Sequence, residues 1–90
     1  MATVIIKLRI MPDSPEADIE RIESDIKNEL ESEGAKKISF ETQPIAFGLK
    51  AILAGFELPE EKGTDNLESA ISQIDSVSSV KIEEYRRAFG

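Results

Sequence analysis

The stretch TVIIKLRIM at residues 3–11 decides the fold, because apolar side chains alternate with others along it. One face of this segment is entirely apolar and consists of Val4, Ile6, Leu8 and Ile10. Alternation with a period of two, in a segment rich in β-branched residues, is typical of a strand that buries one face. The segment is therefore predicted to be a first strand that lies against a core.

A helix is predicted to follow from Glu16 to Glu33. Ser14 is expected to cap it, Pro15 suits its first position, and Gly34 is a plausible stop. The apolar residues of this segment recur at spacings of three and four, which indicates one buried stripe on a helix. The members of that stripe are Ile19, Ile22, Ile26 and Leu30.

The rest of the chain predicts two strands, a short helix and a last strand. The second strand covers residues 36–43, and the third runs from Leu49 to Leu58 and is apolar on both sides, which places it centrally in a sheet. Thr64 is expected to cap a helix whose apolar residues are Leu67, Ala70, Ile71 and Ile74. The last strand is predicted from Val77 to about Tyr85 with Val80 and Ile82 inward, followed by a tail at residues 86–90.

This order, β-α-β-β-α-β, predicts an α+β fold. Two crossover units joined by a hairpin connection give a ferredoxin-like sandwich, in which two helices cover one face of a four-stranded antiparallel sheet. The expected strand order is 4-1-3-2, with the opposite face of the sheet open. The 90 residues allow one domain, 1–90.

Composition excludes several classes of function. The chain has 11 Lys and Arg, 18 Asp and Glu, a net charge of −7, and no Cys, His or Trp. Catalysis that depends on His or Cys is excluded, and we expect no metal site, no cofactor and no disulfide. An acidic chain is a poor candidate for binding nucleic acid. The sequence holds no apolar run long enough for a membrane span or signal peptide, so a cytoplasmic protein is expected.

Two segments stand out from an otherwise ordinary pattern. The connection at residues 44–49 carries Ile45 and Phe47 where a polar loop is usual. These side chains either fold under and cap the core or form a protruding contact for a partner. Arg86 and Arg87 stand together near the end of an acidic chain, either as a solubilising terminus or as a cationic finger for an acidic or phosphate-bearing site.

Clustered carboxylates give a weaker signal. Glu57, Glu60 and Glu61 lie near one loop, and Glu83 and Glu84 lie near the end of the chain. Paired carboxylates can serve as acid and base when burial separates their pKa values. A solvated acidic surface is the favoured interpretation, since charged side chains are mostly exposed.

The segment Pro44-Ile45-Ala46-Phe47-Gly48-Leu49-Lys50 resembles one that opens the third strand in the elongation factor 1-beta family. Gly63-Thr64-Asp65 at the second helix and Val77-Ser78-Ser79 at the last strand are similar to that family's segments in the same order. The resemblance covers essentially the whole chain and is closest to the short archaeal form.

The resemblance implies a guanine-nucleotide exchange factor that acts on elongation factor 1-alpha without covalent chemistry of its own. It implies that the loop with Ile45, Ala46, Phe47 and Gly48 packs near the switch elements of the GDP-bound partner, with Lys50 helping to dock it. It further implies that a basic residue near the C-terminus reaches the partner's Mg²⁺ site. That residue is Lys in eukaryotic members, and its position falls on Arg87 here, with Arg86 as an equal candidate.

One other class of function remains as an alternative, and a second class is disfavoured by the sequence. A regulatory module that binds a small molecule on the same fold would use a helix–strand crevice and self-association, and would leave the two arginines without a role. A hydrolase of the acylphosphatase type would need an anion-binding loop with an Arg after the first strand, whereas residues 11–14 are acidic rather than basic in character.

Overall fold

The computed structural model describes residues 2–88, which form two helices and four strands. The strands are β1 (Thr3–Pro12), β2 (Lys36–Pro44), β3 (Lys50–Pro59) and β4 (Val77–Ala88). The helices are α1 (Ile19–Ser32) and α2 (Asp65–Ser72), and a short 3₁₀ turn spans Ala46–Gly48. The sheet order is β2-β3-β1-β4 with every neighbouring pair antiparallel. This confirms the predicted ferredoxin-like arrangement, since 4-1-3-2 is the same order counted from the other edge.

One hydrophobic core lies between the sheet and the two helices. Alternate residues of β1 and β3 are buried there, and α1 and α2 supply the opposing side chains Ile22, Ile26, Leu30, Leu67 and Ile71. Each fully buried Leu or Ile side chain contributes about 1.5–3 kcal/mol relative to an exposed one. Both helices therefore lie on one face of the sheet, as the single apolar stripe on each predicted.

Helix α1 begins later than predicted. Its N-cap is Asp18, whose carboxylate accepts a hydrogen bond from the Arg21 N–H at 3.2 Å, so the predicted cap at Ser14 and start at Glu16 are wrong. Residues 13–17 instead form turns, in which the Ser14 carbonyl accepts from the Ala17 N–H. The sequence offers two capping residues, and the second one directly precedes the apolar stripe that packs on the sheet.

Helix α1 ends at Ser32, and Gly34, the predicted stop, follows its C-cap with φ +84°. The Gly34 N–H donates to the Glu31 carbonyl and the Ala35 N–H donates to the Leu30 carbonyl, both at 3.0 Å. This pair of bonds is the Schellman motif, in which a residue in the left-handed region satisfies the last carbonyls of a helix. A glycine adopts that conformation without steric cost.

Strand β4 is longer than predicted and includes Arg86 and Arg87, so the proposed tail from residue 86 is wrong over residues 86–88. Phe89 and Gly90, the rest of that tail, lie outside the described residues. Opposite β1, the register pairs Lys7 with Glu84 but Leu8 with Ile82, so Glu83 is an additional residue in a β-bulge. Val80 packs partly on the core as predicted, whereas Ile82, opposite Leu8, faces the predicted helix side but is 39% exposed.

Candidate functional site

The apolar connection between β2 and β3 is a tight loop of residues 45–49. The Ile45 N–H donates to the Leu49 carbonyl at 2.8 Å, and the Leu49 N–H donates to the Ala46 carbonyl at 3.3 Å. A Cβ added at Gly48 would lie 3.6 Å from the Pro15 Cβ, so the loop rests against the connection between β1 and α1. The loop is therefore held at both of its ends and from one side.

Phe47 projects from the tip of this loop into solvent. Its residue is 91% exposed, and its backbone lies in the left-handed region at φ 64°. That conformation costs a residue with a side chain about 1–2 kcal/mol. An aromatic ring kept in solvent by a strained backbone has no packing role in the described part of the chain, so the capping interpretation is wrong for Phe47 and the partner-contact interpretation gains support.

The other predicted contact residues lie beside Phe47 in the chain. Ala46 and Gly48 are exposed, Ile45 is half-buried, and Lys50 is exposed at the first position of β3. Phe47 and its neighbours thus form one small apolar tip with a cation at its base. An exposed apolar tip of this kind is suited to insertion into an apolar depression on another molecule.

Arg86 and Arg87 lie in β4 and point to opposite faces of the sheet. Arg87 is opposite Val4 and therefore on the helix side, while Arg86 is opposite Ile5 on the open side. The Arg87 guanidinium pairs with the carboxylate of Glu60, just after β3. The Arg86 Nε lies 3.2 Å from the Glu84 Oε2. All four side chains are substantially exposed, and such surface pairs contribute about 0–1 kcal/mol, so either cation can change partner at little cost.

The aromatic loop and the arginines lie at opposite ends of the sheet. β1 connects the two ends, because Val4 lies beside Arg87 and Ile10 lies beside the start of β3 at Ile52. At a rise of 3.3–3.4 Å per residue, the ends are about 20 Å apart along β1, with the loop farther still. The structure therefore does not bring the two predicted sets of site residues together.

Arg9 is a polar residue of the open face that the sequence analysis did not single out. Its Nη1 donates to the Gln43 Oε1 at 3.3 Å and to the Glu83 Oε1 at 3.1 Å. Arg9 thus links the edge strand β2 to the bulged residue of β4 and fixes the bulge from the open side. The only signal in the sequence is that Glu83 and Glu84 interrupt the alternation of the last strand.

The carboxylate clusters behave as a solvated, ion-paired surface. Glu57 lies 3.5 Å from the Lys37 Nζ, and Glu60, Glu83 and Glu84 each pair with an arginine. Within residues 2–88, no three acidic side chains are grouped closely enough to hold a metal ion. Burial, with a smaller effect from the charge of Glu20, raises the pKa of Glu23, which lies in α1 far along the chain from these clusters.

A cleft of about 200 Å³ lies at the same end of the sheet as the arginines. Its lining consists of Thr3, Gly34, Lys36, Glu57, Leu58 and Pro59. Sites for small organic ligands usually measure about 300–1,000 Å³ and are lined mainly by apolar side chains. This cleft is smaller and carries a Lys and a Glu, so it gives little support to the alternative of a regulatory ligand-binding module. Neither described helix is long and apolar enough to cross a membrane.

Solved structures similar to this chain share its fold. One is LarC2, the C-terminal domain of a cyclometallase involved in the synthesis of the NPN cofactor of lactate racemase, with a TM-score of 0.68 and 15% identity, over 99% of this chain and 58% of that chain. Another is the de novo designed protein Foldit4, with a TM-score of 0.63 and 17% identity over 98% of both chains. Likeness at this level of identity concerns the fold and not the activity.

Sequence relatives are more informative. The chain is 42% identical over 85 residues to elongation factor 1-beta of Methanocaldococcus jannaschii, covering 93% of this chain and 96% of that protein. It is 40% identical over 84 residues to elongation factor 1-beta of Saccharolobus islandicus, covering 91% of each. The family model described as the EF-1 guanine nucleotide exchange domain matches residues 5–88, from the first strand through the last. The chain therefore belongs to the EF-1 guanine nucleotide exchange domain family.

Proposed function

We propose that this chain promotes the exchange of GDP for GTP on elongation factor 1-alpha during polypeptide elongation in the cytoplasm. Membership of the family supports the class of activity. One structural observation supports the proposal that a surface of this chain contacts the partner. That observation is the ring of Phe47, which is 91% exposed on a strained backbone at φ 64°. A side chain kept in that state at a cost to the free protein is suited to recover the cost on binding.

The Phe47 loop is the proposed docking point. Phe47 would enter an apolar depression on the partner, and Ile45, Ala46 and Gly48 would close around its rim. Lys50, exposed at the start of β3, would contact an acidic group beside that depression. Aromatic side chains seated in well-packed pockets supply a large share of binding energy at interfaces.

Arg87 is the proposed acting residue at the other end of the sheet. Its guanidinium would leave Glu60 for a phosphate oxygen or a carboxylate that holds Mg²⁺ on the partner, which would weaken the contacts that retain GDP. Arg86 points to the opposite face, so the two side chains cannot enter one pocket together. The position counted from Val77-Ser78-Ser79 selects Arg87 over Arg86.

Exchange requires no covalent step from this chain. A factor that binds the nucleotide-free GTPase more tightly than the GDP-bound form must weaken GDP binding by the same coupling free energy. A coupling of about 4 kcal/mol would correspond to roughly a 10³-fold change in GDP affinity. Surface contacts alone can supply this coupling if they differ between the two states of the partner.

The test is the release rate of a fluorescent GDP from elongation factor 1-alpha at fixed Mg²⁺, with and without this protein. We expect acceleration that rises with concentration and saturates. Arg87→Ala should lower the saturating rate about tenfold or more, because charge-assisted hydrogen bonds contribute about 1.5–3 kcal/mol. Lys27→Ala, which removes an exposed cation from α1, is the matched control and should leave the rate unchanged.

Each possible result has a distinct meaning. A folded wild-type sample that leaves GDP release unchanged would overturn the exchange function. Acceleration that persists fully in Arg87→Ala would remove this residue from the mechanism and leave the Phe47 loop as the relevant contact. Arg87→Lys further separates the need for a cation from the need for a planar guanidinium.

A further inference from the structure

The β-bulge at Glu83 decides which side chains of β4 share a face. Before the bulge, Val80 and Ile82 lie on the helix side, opposite Ile10 and Leu8. After it, Tyr85 and Arg87 take that side, opposite Ile6 and Val4. An unbroken register would have placed Glu84 and Arg86 there instead, because side chains alternate strictly along a strand. The extra residue thus places Tyr85 and Arg87 on the helix side instead of Glu84 and Arg86.

The helices leave this part of β4 uncovered. Helix α2 has 8 residues and spans about 12 Å, whereas β4 has 12 residues and spans about 40 Å. Val77 and Val80 pack against the core beside α2, while Ile82 is 39% and Tyr85 is 53% exposed. Apart from Phe47, these are the large hydrophobic residues that are exposed within residues 2–88. Ile82, Tyr85 and Arg87 are called the β4 shelf below.

We propose that the β4 shelf is a second contact surface for elongation factor 1-alpha, in which Ile82 and Tyr85 bind the partner beside Arg87. The proposal rests on the exchange function above and adds residues to it. The shelf is continuous with Arg87 on the same face of the same strand, so a partner reached by this guanidinium also meets the exposed apolar side chains. Tyr and Arg are residue types that supply much of the binding energy at interfaces.

Charge argues against a second copy of this chain as the occupant. The four strands hold eight Lys and Arg and four Asp and Glu, a net charge of +4. The segments between the strands hold three basic and fourteen acidic residues, a net charge of −11, and they include helix α2, which packs beside β4. Two copies that met through this face would bring these acidic layers together, which is unfavourable.

The first experiment uses the fact that Tyr85 is the single tyrosine of the chain. Incorporation of 3-fluorotyrosine gives one ¹⁹F resonance, whose shift between H₂O and D₂O reports solvent contact. We expect that solvent shift to be largely lost when unlabelled elongation factor 1-alpha is added in excess. A fluorine that remains as solvent-exposed in the complex as in the free protein would overturn the proposal.

The second experiment measures how much protein is needed for half-maximal GDP release. Half-maximal GDP release should require an about tenfold higher concentration of the double variant Ile82→Thr, Tyr85→Thr, because two contact residues are removed. The saturating rate should be retained, because Arg87 is unchanged. Lys81→Thr on the open face of β4 is the control, since threonine preserves strand propensity at all three positions. An equal requirement for the double variant and the wild type would refute the shelf.

These results separate the shelf from the exchange function. If the wild type fails to accelerate release, the exchange function is wrong, and the ¹⁹F measurement still decides whether the shelf is covered. Sedimentation of the free protein tests the other possible occupant of the shelf, a second copy of this chain. A dimer that Tyr85→Thr dissociates would show that a second copy covers the shelf, and the proposal would be wrong.

Discussion

Replacing Phe47 with asparagine should leave the fold as stable as before or slightly more stable, while it removes most of the proposed exchange activity. The side chain is 91% exposed, so the ring contributes little to the free energy of folding. Its backbone lies at φ 64°, a conformation that asparagine adopts far more readily than phenylalanine. Loss of the ring's few contacts lowers the free energy of unfolding, whereas relief of the backbone strain raises it. The sizes of these two effects decide the net change in stability.

The expected change in stability follows from the exposed fraction. An aromatic side chain has about 150–250 Å² of surface, so the covered part of Phe47 is about 20 Å². At about 25 cal/mol per Å², its loss costs about 0.5 kcal/mol. Relief of left-handed strain returns about 0.5–1.5 kcal/mol, since asparagine still bears part of the cost that this region imposes. The net result is a free energy of unfolding that is unchanged or raised by about 1 kcal/mol.

Thermal or urea unfolding measures this change, and GDP release measures the activity. We expect the concentration for half-maximal release to rise about thirtyfold, which corresponds to about 2 kcal/mol for a side chain at the centre of an interface. Phe40→Ala is the control, because Phe40 packs partly against the core from β2. That variant should lose about 2 kcal/mol of stability and keep its exchange activity while folded.

Two results would refute this reasoning. A loss of more than about 1.5 kcal/mol of stability in Phe47→Asn would show that the ring packs on the domain, since losses of that size come from buried rather than exposed side chains. A stable Phe47→Asn variant with wild-type exchange would show that the loop does not contact the partner.

Two further substitutions test the fold. Gly34→Ala should destabilise the protein by about 1 kcal/mol, because alanine bears a steric cost at the φ of +84° that Gly34 adopts. An added Cβ meets no atom within 4 Å, so the backbone conformation is the only source of this loss. The change in Tm measures it, and an unchanged Tm would show that the end of α1 rearranges freely. Glu23→Gln should raise stability at pH 7 but not at about pH 3. Burial raises the pKa of Glu23, so the folded protein binds more protons and loses stability as pH rises from the unfolded to the folded pKa. Because this side chain is only half-buried, the gain should stay within about 0.5 kcal/mol, and an equal Tm difference at both pH values would contradict the assignment.

The sheet and its order were predictable because their signals are local and repeated. Val4, Ile6, Leu8 and Ile10 alternate without a break, and β3 is apolar on both sides. Such patterns fix the buried face and the central strands before any contact is known. The start of α1 was missed because Ser14 and Asp18 both satisfy the preference for a cap, and packing of the chain against the sheet decides between them.

The end of β4 was missed for a different reason. A bulge changes the parity of a strand, so Val80 and Ile82 share a face with Tyr85 and Arg87 although the sequence shows no regular alternation between them. The strand was therefore predicted to stop at about Tyr85, three residues short of its end at Ala88. The residue that stabilises the bulge is Arg9, which lies 74 positions away in the sequence and is invisible to local patterns.

The separation of the two predicted contact regions is a consequence of the fold that neither region reveals alone. Phe47 and Arg87 lie at opposite ends of a hydrogen-bonded sheet, and β1 fixes the distance between them. A partner held through the Phe47 loop meets Arg87 as part of the same complex, at a high effective concentration and without further loss of overall motion. Under that condition even an exposed cation, whose present pair with Glu60 is weak, can compete for a phosphate or a metal ligand. The rigid sheet is thus what would allow two modest surface contacts to act as one exchange surface.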